Sequence, residues 1–566
     1  MGLKRNPQGR AKMHQPPAAP TPQKPYGYNR LLLDIVLARP FTYLAVIILS
    51  IAGMLFAIVS PLIMRALIDD VLIGRNTALL MPLLAAMAGV FFISALSNYL
   101  STRVRGTLNI DLYRTFSARV FAHLQQADYA AFRKFKTGDL LSRVTGNVQT
   151  VVQTAIRTVP QILVTGLGII LPLAIMIGMD ATLAAVVILP AILFAASSAY
   201  FGKRMKAAQR PALDADAAVQ SYLKETLPSA PLIRVFGLEG WAGEHYGQQL
   251  GRFKDTSVTM IKLSSLSAAV TMLIYSVPTL LILTLGSLSV LEGTITVGTL
   301  TAFVAYVSLF LSLVLQVSDL WNSYKTSQAS YDRIAEVLEM EPGPEGSISL
   351  PPGGTGDIRF ENVGFSYDDR VILKDFNGHF TRGINYLTGE NGSGKSTVLK
   401  LLCRLYSPGH GRITIDGTDL AAIRNNELRS YVSIVFSDSL IFDGSIYDNI
   451  LIGNLGATRD EVMLAAQKAG LDEFVRVLPR QYDTEVGESG LNLSSGEMQK
   501  IALARVLLRD SPVIVFDEFT RSIDPASRET IYAVIRQLTN KTVIIVTHNL
   551  ADIDVGRPVV HLEKAA

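Results

Sequence analysis

The hydrophobic pattern divides the chain into two unlike parts. Before residue 335, apolar runs recur at 41–62, 78–100, 158–179, 181–201, 268–291 and 297–317. At ~1.5 Å per residue each run, wound as a helix, can cross a ~30 Å hydrocarbon core. Only Asp180 separates the third run from the fourth, and Glu292-Gly293-Thr294-Ile295-Thr296 the fifth from the sixth, so both pairs read as tight hairpins. The other connections are long, and within one of them apolar residues return every four positions at Leu108, Leu112, Phe116, Val120 and Leu124. That period predicts helices that continue beyond the bilayer.

After residue 335 the pattern changes. Glu341-Pro342-Gly343-Pro344-Glu345-Gly346 and Pro351-Pro352-Gly353-Gly354 read as a linker. Beyond them, short apolar runs alternate with helical stretches, which is the pattern of an α/β domain. The expected organisation is a disordered tail over 1–30, a six-helix transmembrane domain over 31–340, a linker over 341–356 and a second domain over 357–566.

Composition sharpens this division. Apolar residues make up 49% of the 566 and charged residues 18%, an apolar excess that points to membrane segments. A net charge of +4 gives no reason to expect a nucleic-acid partner. The single cysteine, Cys403, excludes an intrachain disulfide and reads as a small buried hydrophobe.

Charge also orients the spans. Nine basic residues lie between 101 and 157, and nine more between 202 and 262. The loop after the first span balances Arg65 and Arg75 against Asp69 and Asp70, and the two hairpin loops hold no basic residue. By the positive-inside rule both termini, the long loops and the second domain are cytoplasmic, in a multi-pass protein of the inner (plasma) membrane surrounded by its lipids.

The candidate chemistry lies in the second domain. Gly389-Glu390-Asn391-Gly392-Ser393-Gly394-Lys395-Ser396-Thr397 is a complete phosphate loop between a short strand and an apolar-faced helix. The glycines let backbone amides approach phosphate oxygens, Lys395 neutralises β/γ charge, and Ser396 offers a hydroxyl to Mg²⁺. ATP and Mg²⁺ are therefore the expected ligands. Val513 to Asp517 is an apolar run that delivers Asp517 and Glu518 at its end, the first suited to Mg²⁺ and the second to polarising water. Val543 to Val546 is a second such run, and it places His548 near the γ-phosphate.

Leu493-Ser494-Ser495-Gly496-Glu497-Met498-Gln499 resembles the LSGGQ signature of ABC ATPases. Tyr367 matches the family's adenine-stacking aromatic, Thr484-Glu485-Val486-Gly487-Glu488 resembles the segment by which exporters touch the cytoplasmic loops, and Ser522-Ile523-Asp524 resembles the D-loop. Thr137 to Arg143 and Gly298 to Phe303 are similar to segments of bacterial half-size ABC exporters. The chain is identified as a member of that group over residues 40 to 560. The resemblance implies a membrane all-α six-helix domain fused to an α/β P-loop ATPase domain. It also implies a homodimer in which Ser494, Ser495, Gly496 and Glu497 of one chain close on ATP held by the other. Ala131-Phe132 and Gly237-Leu238-Glu239 resemble coupling helices, with 107–115 and 206–216 as other placements.

Four positions depart from the family pattern, one being Ser495 in place of the first signature glycine. Ser437 stands where the family carries a glutamine that reaches Mg²⁺, Glu497 replaces the signature glutamine, and Phe519 replaces the usual proline after the glutamate. Phe436-Ser437-Asp438 resembles a sequence in exporters of cyclic peptides and siderophore precursors, which implies a peptide cargo. A lipid flippase, a multidrug exporter, an ATP-gated channel and a regulator are the alternatives on the same scaffold. Asn98, Tyr306, Phe310, Gln316, Asp319 and Asn322 lie in or beside the spans, where polar groups face either a cavity or a neighbouring helix.

Overall fold

The computed structural model describes residues 27–351, 354–436, 440–487, 490–519, 525–548 and 553–564. Ser437 and Asp524, two of the candidate ligands, lie outside the described residues. The chain forms two compact units. One holds residues up to Leu124 together with Thr137–Glu339, and the other holds Gln125–Lys136 together with Met340 onward.

The first unit is helical. Among the described residues six helices are long and apolar enough to cross a membrane: Pro40–Ile73, Thr77–Gln126, Thr137–Met179, Ala181–Thr226, Glu239–Leu291 and Val297–Leu338. The 53 residues of Glu239–Leu291 amount to about 80 Å of helix, far more than a bilayer needs. Both hairpins are closed by capping. The Asp180 carboxylate accepts from the Thr182 and Leu183 amides at 2.8 and 3.0 Å, and the Thr296 hydroxyl accepts from the Thr299 amide at 3.1 Å. Asp69 reaches across from the first span to accept from the Gly298 amide at 2.8 Å. A Cβ at Gly298 would lie 2.5 Å from the Arg65 carbonyl oxygen and 2.6 Å from the Asp69 carboxylate, so only glycine fits there.

Inside this unit several polar groups are spent between helices, while the hydroxyls of Tyr43 and Ser197 are buried without a partner among the described residues. The fully buried Tyr306 donates its hydroxyl to the Ile58 carbonyl at 2.6 Å. Gln316 accepts from Thr165 at 2.8 Å, and Ser198 and Ser318 lie 3.1 Å apart. Of the two roles open to them, Tyr306 and Gln316 take the helix-to-helix one. Arg143, almost fully buried, donates to Asp139 at 2.9 Å, to Glu336 at 2.6 Å and to the Arg333 carbonyl at 2.5 Å, tying the third span helix to the sixth.

The second unit carries three sheets. β1 (Ile358–Tyr367), β2 (Arg370–Phe380), β4 (His410–Ile415) and β5 (Thr418–Asp419) form an antiparallel sheet in the order β2-β1-β4-β5. β3 (Gly383–Gly389), β6 (Val432–Val435), β9 (Val513–Asp517), β10 (Thr542–Val546) and β11 (Val559–Leu562) form a parallel sheet in the order β11-β3-β10-β9-β6. β7 (Gly444–Ser445) pairs with β8 (Glu485–Val486).

Alternation along the parallel strands creates two cores. Leu387, Val513, Val515, Ile544 and Val546 join the core that contains Val398, Leu399, Leu401 and Leu402 of helix Lys395–Leu402. Tyr386, Ile514, Phe516, Val543 and Ile545 join the core that contains Ile501, Leu503 and Val506 of helix Ser495–Arg509. The two helices therefore bury against opposite faces of one sheet, because successive strand side chains point to opposite sides.

Candidate active site

Parallel register brings the C-terminal ends of β3, β9 and β10 together: Val546 pairs with Leu387 on one side and with Asp517 on the other. This edge receives the loop Gly389–Gly394, the two acids and His548. Gly389 and Gly394 adopt φ of 153° and 105°, and a Cβ on Gly389 would lie 2.4 Å from the Leu562 carbonyl oxygen. The backbone can thus curl tightly enough to aim its amides inward. Helix Lys395–Leu402 begins immediately after Gly394.

The loop is built around a cation. Lys395 is buried, and its ammonium donates to the Gly389 and Glu390 carbonyls at 2.8 and 2.9 Å. Ser393 is buried with its hydroxyl unpartnered among the described residues. An orphaned hydroxyl, inward-turning glycines and a buried ammonium suit an incoming polyanion.

Asp517, at the end of β9, is also buried and accepts from the Ser396 hydroxyl. Burial pushes its carboxyl above the ordinary range and the neighbouring Glu518 charge adds to the rise, while Lys400, Ser396 and Lys395 oppose it. This hard oxygen pair fits a divalent cation shared with phosphate oxygens. Among the described residues no group of three or more His, Cys, Asp or Glu side chains could hold a metal unaided, so phosphate oxygens and water would complete the ligand set.

Glu518 takes a left-handed φ of 43°, with its amide donating to the Val546 carbonyl at 3.2 Å. Its Oε1 lies 3.3 Å from His548 Nδ1, so two residues singled out separately in the sequence meet across β9 and β10. Phe519 is buried against the rings of Phe516 and Tyr532, at 4.7 and 6.2 Å between centroids. An apolar anchor thus follows the glutamate where the family has proline.

Tyr367 ends β1. Its ring meets Phe365 and Tyr406 edge-on at 4.8 and 5.2 Å, and the Lys400 ammonium lies 5.8 Å from its centroid. The signature forms a capping box. Glu497 accepts from the Ser494 amide at 2.7 Å, and the Ser494 hydroxyl accepts from the Glu497 amide at 3.4 Å, opening helix Ser495–Arg509. Glutamate in place of glutamine therefore serves its own helix N-terminus, where a negative charge is favourable.

Sequence reasoning missed Arg505. From helix Ser495–Arg509 it donates to the Leu440 carbonyl at 2.6 Å, to the Asn449 carbonyl at 2.6 Å and to Asn449 Oδ1 at 2.7 Å. The signature helix thereby holds the chain just beyond Ser437. An arginine among Ile501, Ala502 and Val506 on the buried side of that helix was the available signal.

The second unit also holds one segment from the first half of the chain. The Asp128 amide donates to the Glu341 carbonyl at 2.9 Å and the Gly343 amide to the Gln126 carbonyl at 3.0 Å. The short helix Tyr129–Arg133, which contains Ala131 and Phe132, presents Tyr129 to Tyr406. The other placements fail: 107–115 and 206–216 lie inside the uninterrupted helices Leu80–Gln126 and Ala181–Thr226.

Comparison with known proteins agrees with this architecture. The ABC transporter transmembrane region family matches residues 43–314, and the ABC transporter family matches residues 373–521. YgaD of Bacillus subtilis (strain 168), whose name marks it only provisionally as a multidrug export ATP-binding/permease protein, is 30% identical over 519 residues, covering 89% of each chain. The chain belongs to the ABC exporters.

This exporter is also similar to the alpha-hemolysin translocation ATP-binding protein HlyB of Escherichia coli, at 28% identity over 92% of this chain and 74% of that one. The ATP-dependent lipid A-core flippase of Syntrophus aciditrophicus (strain SB) is 26% identical over 95% and 90% of the two chains. These names do not single out exporters of peptide natural products. A solved bacterial Atm1-family ABC exporter with ATP bound shares the fold, with a TM-score of 0.78 over 94% of this chain and 95% of that one at 24% identity. The protein is thus a multi-pass membrane protein in which an ATPase domain drives export.

Proposed function

We propose that two copies of this exporter form a homodimer that moves its cargo out across the inner (plasma) membrane by alternating access, with the termini and ATPase unit in the cytoplasm. One observation carries the dimer. Lys395, Asp517, Glu518 and His548 gather at one edge of the parallel sheet, whereas the signature helix buries against the face opposite helix Lys395–Leu402. Each ATP is then completed by Ser494, Ser495, Gly496 and Glu497 of the second copy.

In this reading Tyr367 stacks on adenine, and Asn391, Gly392, Ser393, Gly394 and Thr397 line the phosphates with Lys395. Ser396, Asp517 and Ser437 would hold Mg²⁺, which when bound neutralises phosphate charge. Glu518 orients the attacking water and accepts its proton, His548 positions Glu518 and meets the γ-phosphate, and Asp524 lies at the contact between copies. The Glu518→Gln variant in lipid vesicles is expected to bind ATP and cease turnover. Undiminished hydrolysis would overturn the assignment.

For cargo we infer a peptide, supported by the sequence Phe436-Ser437-Asp438. The relatives named for lipid A-core and multidrug export make lipid and drug the competing cargoes. ATPase stimulation and uptake in inverted vesicles, measured against peptide, lipid and drug panels, separates the three, and ATP-dependent current would instead identify a channel.

A further inference from the structure

The ATPase unit contains a ring contact chain that the catalytic edge does not use. Tyr367 meets Tyr406 at 5.2 Å and 84°, and Tyr406 meets Tyr129 at 5.5 Å and 85°. Phe365 braces both Tyr367 and Tyr406, at 4.8 and 5.5 Å. On the far side Tyr129 lies parallel to Phe132, at 6.3 Å and 13°. Tyr406 is thus held edge-to-face on two sides, a directional arrangement in which neither neighbour can rotate freely alone. Tyr129 belongs to the segment 125–136, which hydrogen bonds pin to the chain at Glu341 and Gly343 and which continues directly into the second and third span helices.

We propose that Tyr406 is a positioning residue that couples nucleotide-base occupancy at Tyr367 to the order of the cytoplasmic segment 125–136 through Tyr129. The inference rests on the reading of Tyr367 as the adenine platform. A base seated on Tyr367 fixes that ring, the fixed ring holds Tyr406, and Tyr406 holds Tyr129. Because adenine is common to ATP and ADP, this contact reports whether a nucleotide is present and not whether its γ-phosphate has been cleaved. It is therefore a second line of communication, separate from the phosphate edge and from the position of Ser437.

The test is hydrogen exchange of peptides covering 125–136 in the full-length protein in lipid nanodiscs, with the divalent cation chelated to prevent turnover. ATP and ADP are expected to slow exchange there by about twofold to tenfold, the scale of one edge-to-face ring contact, and inorganic tripolyphosphate to leave it unchanged. Linkage makes the effect reciprocal. Tyr129→Ala should weaken ATP binding by the factor by which ATP protects the segment, without altering tripolyphosphate binding. Tyr406→Phe should keep both responses and Tyr406→Leu should lose both, which separates the ring contact from a general folding defect.

Equal responses to ATP and tripolyphosphate, or unchanged ATP affinity in Tyr129→Ala, would overturn the proposal. Tyr367→Ala distinguishes the two levels. If it leaves ATP affinity intact, the adenine platform itself is wrong and the relay falls with it. If it weakens ATP binding while 125–136 of the unmutated protein ignores every nucleotide, only the relay fails.

Discussion

Selected buried polar groups of the membrane unit and of the ATPase site are used in opposite ways. In the membrane unit Tyr306, Gln316 and Arg143 find partners on neighbouring helices, so their hydrogen-bonding capacity goes into holding the bundle together. In the ATPase unit Ser393 is buried without a partner among the described residues, and Lys395 and Asp517 are buried at a strand edge suited to a ligand. Buried polarity marks function only where it remains incompletely answered by the protein. The hydroxyls of Tyr43 and Ser197 on the span helices are also buried without a partner among the described residues, but no buried lysine or aspartate accompanies them as Lys395 and Asp517 accompany Ser393.

Four substitutions press on this contrast. Glu518→Gln should lower ATP turnover by about 10²-fold to 10⁴-fold with little change in thermal midpoint, because it removes a proton acceptor and keeps the shape. A large fall in stability would show that the glutamate belongs to the scaffold. Arg505→Met should cost about 2–3 kcal/mol, since two part-buried acceptors on Asn449 and the exposed Leu440 carbonyl lose a charged donor. Chemical denaturation of the variant measures that loss, and a near-wild-type midpoint would demote the clamp.

In the membrane unit the expected changes are structural. Gly298→Ala should destabilise by about 1–3 kcal/mol, because the added methyl meets the Arg65 carbonyl and the Asp69 carboxylate. Thermal unfolding in detergent would report it, and a wild-type value would mean that the hairpin relaxes freely. Tyr306→Phe should have the smallest effect, about 0.5–1 kcal/mol, for one lost interhelical hydrogen bond. If that variant instead changes cargo stimulation at unchanged stability, Tyr306 contributes to transport and the contrast between the units weakens.

Legibility followed the same line. The phosphate loop is readable because glycine, lysine and serine meet local demands at adjacent positions, and the structure returns Gly389 and Gly394 at positive φ with a helix starting at Lys395. Glu518 and His548 are each readable at the end of an apolar run, but their meeting comes from the pairing of β9 with β10. Arg505 is harder to anticipate. Its partners lie 56 and 65 positions away, so the apolar neighbours Ile501, Ala502 and Val506 hint at burial but not at what the guanidinium binds. Glu497 looked like a departure from the signature, yet in the fold it completes a capping box.

By itself the sequence determined six membrane-length helices, a phosphate-binding turn and two acid-bearing or histidine-bearing strands. Each depends on periodicity or backbone freedom within a few residues. Only the tertiary structure decided that helices Lys395–Leu402 and Ser495–Arg509 bury against opposite faces of the sheet, which the strict alternation of strand side chains imposes once the strands pair. It also decided that Tyr129 shares a unit with Tyr406. That contact joins residues 277 positions apart, and only packing, to which local pattern is blind, could bring them together.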